Sequence, residues 1–529
     1  MNTALESARQ SGTSHEAANI QVRHRLTQAS LYQIGDINAG QAAAVFASAR
    51  SGLGALSHYP LSARLQELRK VRDLIFAERE AIVDQLVAET GKCRTDALVS
   101  EIMGVMDYCD WLLRKAPSIL SDQKVATPLA LLGKKSRIYH EALGIVLIIS
   151  PWNYPFHIGV TSIFAALAAG NSVIYKPSEL TPLHGLLERL FAVSPLLRSA
   201  LQVVYGAGET AQQLIAQRPA KIFFTGSART GKRLLAQAAP LLIPVELELG
   251  GKDAMLVFDD VNLARTVAGC LWGAMTNAGQ SCTSVERVFV QRTIYDAFVR
   301  MLKSEAEKLV VNAGDAGDAD IGAITADFQW EIIQQHIQDA VAKGARLVCG
   351  GESLGDTLFL MPTIVESVND TMQIQTAETF GPVLTLTPFD TEEEAVQLAN
   401  QGEFGLSASV WSKDLARADR VARLLEVGAV SINNVMLTEG NPNLPFGGAR
   451  QSGFGRVKGA EGLLGMTRSK AVIIDKQSKK IEANWYPYTH AKYRLFGRFM
   501  AALFGKGIKR WFGFAVSGVA LENEAQKPR

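Results

Sequence analysis

Apolar residues change rhythm twice along this chain. From residue 41 to 116 they recur every three or four positions, as in Leu61, Leu65, Leu68, Val71 and Ile75, with charges between them. That spacing puts one apolar stripe on a helix and predicts a helical region. From Gly144 short apolar runs alternate with helical text. Strands are predicted at 144–150, 171–176, 201–205, 221–224 and 245–249, with helices between them at 163–169 and 186–191. Strand, helix, strand at this spacing means crossover units and a parallel sheet. Ligands of such sheets sit beyond the carboxyl ends of the strands. A second alternating region follows, with strands predicted at 287–290, 383–388 and 406–411 and helices at 295–309, 330–345 and 414–426. The predicted class is α/β, with two parallel-sheet lobes. Residues 119–141 and 469–484 fit neither lobe, and each can form an arm. Residues 1–40, rich in Ser, Ala, Gln and Asn, read as a poorly ordered extension.

Composition narrows the class only a little. At 529 residues the chain is long enough for two or three domains. Its 47% hydrophobic and 20% charged content is that of an ordinary globular protein. A net charge of +2 argues neither for nor against nucleic acid. The five cysteines are odd in number and lack CxxC spacing, which argues against a disulfide framework or a zinc site and for a reducing compartment such as the cytoplasm. Met1 to Gln10 has no apolar core, so no signal peptide is evident, and no uncharged apolar run reaches the length of a spanning helix.

One of those cysteines stands apart. Cys282 lies in Asn277-Ala278-Gly279-Gln280-Ser281-Cys282-Thr283, a loop of small and polar residues after an apolar run. Glycine lets backbone pass close to a ligand, and free loop amides can act as donors. A lone cysteine is more often a small buried hydrophobe. Other stretches offer the same choice between chemistry and plain structure. Pro151-Trp152-Asn153-Tyr154-Pro155 follows a strand, and Asn153 is either an oxyanion donor or an Asx turn. Glu246 and Glu248 share one face of an alternating strand that ends in two glycines, which suits a general base or a salt-bridged edge. Gly206-Ala207-Gly208 opens a formal GxGxxA match after a strand. Gly226 and Ser227, with Gly231 beyond them, open a helix whose amides can take a pyrophosphate. Lys176 and Glu179 close another strand, where they can hold ribose hydroxyls or be solvated charge. Phe380, in Glu378-Thr379-Phe380-Gly381-Pro382, and Phe446 both sit on Gly/Pro loops apt for lining a pocket.

Taken together, PWNYP, KPSE, FTGS, LELGGK, GQSC, ETFGP and NLPFGG, in this order, resemble the aldehyde dehydrogenase superfamily over about residues 40–475. The resemblance implies two Rossmann-like parallel-sheet lobes with a small β oligomerisation arm. Residues 41–118 and 142–247 would form the NAD-binding domain and 248–445 the catalytic domain. Residues 119–141 and 469–484 would form the arm, and 485–529 a C-terminal tail. It implies Cys282 as nucleophile, Glu248 as the base that hydrolyses the thioester, and Asn153 with the Cys282 N–H as oxyanion donors. Lys176, Glu179, Gly226, Ser227, Gly231, Glu378 and Phe380 would hold NAD, or NADP, while Gly206 and Gly208 would line the adenine rather than the phosphates. Relatives that pass the acyl group to coenzyme A tend to lack this glutamate, so Glu248 favours a free acid as product. The implied partners are a small-molecule aldehyde and a second subunit, at least a dimer, with no nucleic acid and no metal. A medium or long aliphatic or an aromatic aldehyde is the expected substrate, on the strength of the tail and of Tyr154, Trp272 and Phe446. A non-redox thiol esterase and a non-catalytic NAD-binding relative stand as alternatives.

The tail departs from this pattern. Between Lys476 and Phe514 basic residues, Lys479 and Lys509 among them, interleave with aromatics, and Glu482 is the only acid. Leu495, Phe496, Phe499, Met500, Leu503 and Phe504 fall on one helical stripe. A basic, aromatic amphipathic helix suits either an anionic membrane surface or packing on a protein body.

Overall fold

The computed structural model describes residues 19–313, 317–355, 357–476, 480–508 and 510–527. The chain divides into two compact units, 1–120 with 141–468 and 121–140 with 469–529.

The larger unit holds two sheets. The first runs in the order Gly453–Phe454, Val245–Glu248, Lys221–Thr225, Ile145–Ile149, Ser172–Lys176 and Leu201–Val203. Its five long-range partners from 145 to 248 are parallel, and only Gly453–Phe454 is antiparallel. From Ile145–Ile149 the chain first builds outward through 172–176 and 201–203. It then returns to the other side of that strand to lay down 221–225 and 245–248. The order reverses beside Ile145–Ile149, so the loops after 149 and 225 open on one crevice, where ligands of such sheets bind. These strands are buried on both faces, which explains their near-continuous apolar text.

The second sheet has the order Arg346–Cys349, Thr363–Glu366, Val383–Phe389, Val285–Gln291, Asp253–Val257, Ser407–Trp411 and Ala429–Ile432. All its pairings are parallel except that of the edge strand Arg346–Cys349. The sequence pattern missed the inner strand Asp253–Val257, because Gly250 and Gly251 merge it with the preceding strand in a single apolar stretch, and it missed Arg346–Cys349, Thr363–Glu366 and Ala429–Ile432 as well. In this sheet the motif residues lie before the strands: Lys252 before Asp253–Val257, Cys282 before Val285–Gln291, Glu378 before Val383–Phe389. The carboxyl ends of the first sheet therefore meet the amino ends of the second.

Residues 19–40, expected to be poorly ordered, carry structure. Asn19–Arg23 and Ser30–Gly35 pair antiparallel, and Asn38 caps the helix Ala39–Ser57 through a capping box with Gln41. The reason is tertiary. Tyr32 Oη donates to buried Glu89 at 2.5 Å, and the Asp36 carboxylate accepts from the amides of Ala207 and Thr210 at 2.7 and 3.2 Å. Residues 1–18 of that extension lie outside the described residues.

In the smaller unit Gln123–Val125, Lys134–Ala142 and Thr467–Asp475 form a three-stranded sheet. The tail folds as two helices, His490–Phe504 and Arg510–Ala525, the second of which the apolar pattern had not foretold. Phe499 stacks on Phe514 with ring centroids 4.9 Å apart. The expected stripe is thus divided: Leu495, Phe496, Phe499 and Leu503 are half-buried, while Met500 and Phe504 are exposed. Lys479 and Lys509 lie outside the described residues. Among the described residues no helix is long and apolar enough to cross a membrane.

A buried ion pair sits at the root of the first crevice. Lys92 Nζ lies 2.6 Å from Glu101 Oε1, both side chains almost wholly buried, and also donates to the Asn153 carbonyl at 2.8 Å. Removing one partner of a buried pair strands the other charge in a poor solvent. Glu101→Ala is expected to destabilise the protein by about 3–5 kcal/mol, read as a lower urea midpoint. A loss below about 1 kcal/mol, the size of an exposed pair, would remove this role.

Candidate active site

The loop that carries Cys282 is shaped before any chemistry. Helix Leu263–Met275 ends at Thr276, and Asn277, Ala278 and Gly279 then take left-handed φ values of 52°, 54° and 69°. Two of these are not glycine, so other contacts must hold them. Asp96 supplies two, accepting from the Thr276 hydroxyl at 2.9 Å and the Asn277 amide at 2.8 Å. Gln280 adds another, its Oε1 accepting from Thr325 N at 2.8 Å. At Gly279 a side chain would collide with the backbone of Gly381, and at Gly251 with the carbonyl of Cys282 itself. Three motif loops are thus in backbone contact.

Each neighbouring loop has its own buried anchor. Glu101 accepts from the amides of Phe156 and His157 at 3.0 and 2.8 Å, which fixes the end of the PWNYP loop. Glu286, paired with Lys252, accepts from the amides of Thr379 and Phe380 at 2.9 Å each, which fixes ETFGP. Trp152 is flanked edge-on by Phe380 and Phe328, with centroids 5.3 and 6.2 Å away. Lys92, Glu101, Asp96, Asp36 and Glu286 carry no motif signal. Only the topology brings them to these loops, so sequence reading passed them over.

A cavity of about 760 Å³ opens on Cys282. Glu248, Tyr154, Trp272, Phe446, Glu439 and Lys458 share it, with an apolar wall that includes Val99, Met103, Leu437 and Leu444. Val99 and Met103 belong to a π-helical stretch, Ala97–Met103, a distortion common at functional sites. Both Glu248 oxygens are buried and have no hydrogen-bond partner among the described residues. Burial, and then Glu246, holds its carboxyl well above the usual range, against the pull of Arg456 and Lys458. Glu246, the other glutamate of that face, is instead tied to Lys221 Nζ at 2.7 Å and to the Arg456 amide at 3.0 Å. Burial also pushes the Cys282 thiol well up, followed by Glu439, Glu378, Asp253 and Glu248. Asn153 is buried, and its Nδ2 donates to Gln280 O at 3.0 Å, within the Cys282 loop. Its second N–H remains for another acceptor.

The residues expected to hold a dinucleotide occupy the same crevice edge. Lys176 Nζ is buried, donates to Pro177 O at 3.0 Å and lies 3.5 Å from Glu179. Ser227 caps the helix Ala228–Ala238 through Thr230 N, leaving a positive helix end at the switch point. Gly231 lets that helix approach Leu249. Glu378 lies on Gly250 and accepts from Gly251 N at 3.1 Å. A buried lysine beside a carboxylate, a helix N-terminus and a second carboxylate form a donor set that fits two riboses and a pyrophosphate. Gly206 and Gly208 behave differently. The amides of Ala207 and Thr210 are spent on Asp36, so the formal GxGxxA match is not a free phosphate cradle. Gly206 is required by φ 134° and by Thr210 and Asp36, whereas a side chain at Gly208 would meet open space.

A doubly sheeted α/β body with a thiol and an unpartnered glutamate on one cavity, and a helix N-terminus fit for a pyrophosphate at the edge of the first sheet, matches a dinucleotide-dependent oxidoreductase. A sequence profile of the aldehyde dehydrogenase family matches residues 12–472, and the chain belongs to that family. It is 41% identical to a 4,4'-diapolycopene aldehyde oxidase of Methylomonas sp., over 84% of each chain. It is 34% identical to a Mycolicibacterium smegmatis protein provisionally named succinate-semialdehyde dehydrogenase [NADP(+)], over 82% of this chain and 84% of that one. Among solved structures it resembles a Mycobacterium tuberculosis aldehyde dehydrogenase complexed with NAD+. That match has a TM-score of 0.81 and 31% identity, and covers 87% of this chain and 95% of the other. An aldehyde dehydrogenase from Brucella melitensis biovar abortus 2308 gives 0.82 and 32%, over 86% and 94%. The protein is an NAD(P)-dependent aldehyde dehydrogenase, which sets aside the esterase and non-catalytic alternatives.

Burial pushes the Glu378 carboxyl from 4.5 up to about 8, with Glu286 adding to it and the Gly251 amide and Lys252 opposing. A carboxyl raised on folding contributes stability that is present below its unfolded value and is lost as pH rises through the folded one. Without cofactor, the melting temperature should fall more steeply between about pH 5 and pH 9 in the wild type than in Glu378→Gln. Equal slopes would show that this carboxyl does not titrate there.

Proposed function

We propose that Cys282 is the nucleophile and Glu248 the hydrolytic base of an enzyme that converts medium or long aliphatic, or aromatic, aldehydes to free acids. The observation that carries this is the shared cavity, in which the thiol and an unpartnered carboxylate face an otherwise largely apolar wall. The Cys282 thiolate attacks the carbonyl to form a thiohemiacetal. The free N–H of Asn153 and the Cys282 amide stabilise its oxyanion. NAD(P), which Lys176, Glu179, Ser227 and Glu378 would hold with Phe380 beside it, would accept the hydride that leaves the thiohemiacetal carbon, so that the oxyanion collapses to the thioester. Glu248 then takes a proton from water, which hydrolyses the thioester. Burial raises its affinity for protons, the direction a general base requires. Glu179 beside Lys176 would repel a 2′-phosphate, which favours NAD over NADP.

Tyr154, Trp272 and Phe446 line the path of the aldehyde chain, with Val99, Met103 and Leu444 toward the exposed end. The test is NADH formation with aldehydes from acetaldehyde through long-chain and aromatic members, with 4,4'-diapolycopene aldehyde included because the Methylomonas relative is named for it. kcat/KM should rise with chain length, be larger with NAD than with NADP, and vanish in Cys282→Ala. Glu248→Gln should keep the burst of the first hydride transfer while steady turnover falls roughly 10²-fold or more. Equal loss of burst and turnover would remove the hydrolytic role, and a preference for short aldehydes would remove the substrate class.

The small three-stranded sheet is the proposed oligomerisation arm, giving at least a dimer, and the free cysteines favour the cytoplasm. The tail is proposed to touch an anionic membrane surface. Support comes from exposed Trp485, Tyr488, Phe504, Ile508, Trp511 and Phe512 interleaved with Arg494, Arg498 and Lys506. Deleting residues 490–529 should abolish co-sedimentation with anionic liposomes while NADH formation from a soluble aldehyde persists. Binding that survives the deletion, or none by the full chain, would overturn it.

A further inference from the structure

Two loops that line the cavity pair with each other. Phe446 N donates to Val457 O at 2.8 Å and Val457 N to Phe446 O at 2.7 Å. Gly459 N donates to Pro442 O at 3.0 Å, and a side chain at Gly459 would press on Pro445 N. Lys458 is held between these clasps at φ 60°. It lines the same cavity as Cys282, Glu248 and Glu439, and its Nζ donates to the Glu439 carbonyl. The residue belongs to none of the motifs that marked the site, and the chemistry above leaves it unused.

We propose that Lys458 is a positioning residue whose ammonium, shared among Cys282, Glu248 and Glu439, governs which of the three acids is ionised. The proposal rests on Cys282 and Glu248 being the reacting pair. The groups facing Cys282 are Glu439, Glu378, Asp253 and Glu248, with Tyr154 from the PWNYP loop. Those facing Glu248 are Glu246, Arg456 and Lys458. Lys458 thus lies in a cavity set dominated by carboxyls, where the thiol, Glu248 and Glu439 all act on it, while Arg456 acts on Glu248. A buried cation can compensate one anion well and several poorly. Glu439, on whose carbonyl it rests, competes with the thiolate for it. Loss of Lys458 therefore removes the counter-charge that lets the thiol ionise. Loss of the Glu439 charge frees that counter-charge for the thiol.

The two variants must act with opposite sign. Alkylation of Cys282 by iodoacetamide is followed against pH in the full-length protein, with Cys282→Ala identifying the reacting thiol. Lys458→Met should move the alkylation midpoint up by a pH unit or more, about tenfold slower modification near neutrality. Lys458→Arg should restore it to within about threefold. Glu439→Gln should move the midpoint down. If Lys458→Met does not fold, the downward shift expected of Glu439→Gln still tests the proposal. No shift in the folded variants, or a shift of the same sign in both, overturns the proposal while the wild type goes on forming NADH. A wild type that forms no NADH, with Cys282 unreactive throughout, would instead overturn the reading on which it rests.

Discussion

Backbone runs against backbone at the centre of this enzyme, and the rest of the site depends on that contact. Gly251 lies on the carbonyl of Cys282, and Gly279 on the backbone of Gly381. These approaches leave no room for a side chain, so the end of the first sheet, the cysteine loop and the ETFGP loop behave as one block. The positions of Glu248 and Glu378 follow from it, since both leave the chain within a few residues of the contact.

Holding three loops at such distances strains the backbone, most plainly at Asn277 and Ala278. The compensation is polar and buried. Asp96 takes the turn before the cysteine, Glu101 the PWNYP loop, and Glu286 the ETFGP loop. Each carboxylate accepts backbone amides that would otherwise be stranded in a dry interior. Glu101 and Glu286 in addition carry a buried lysine, Lys92 and Lys252. Glu248 is the exception. It is as buried as the anchors, yet its oxygens have no partner among the described residues. A carboxyl left unsatisfied among satisfied ones is a candidate for chemistry rather than for stability.

The electrostatics of the cavity extend the same logic. Cys282, Glu248, Glu378 and Glu439 all hold their protons more tightly than they would in water, first because of burial, and the thiol is raised further by the three carboxyls. Lys458 is the cation set into this acidic group by the paired loops around Phe446 and Val457. The apolar walls that suit a long aldehyde also keep the dielectric low, so each charge is felt strongly by its neighbours.

The alternation of apolar runs with helical spacing was enough to read two α/β lobes and to bring Asn153, Lys176, Gly226 and Glu248 to strand ends, because burial on both sheet faces writes itself into local text. The motif order was enough to identify the family and to single out Cys282 as the proposed nucleophile. Local pattern failed where the cause lay elsewhere in the chain. Asp253–Val257 is hidden by the glycines before it. Residues 19–40 are polar and look unstructured until Asp36 meets the amides of 207 and 210. The helix Arg510–Ala525 declares itself only against the helix His490–Phe504. Asp96, Glu101, Glu286, Glu439 and Lys458 are ordinary charged residues in sequence. Their meaning comes from long-range approach, since a charge acquires a role only when folding removes its water and leaves it a single neighbour to answer to.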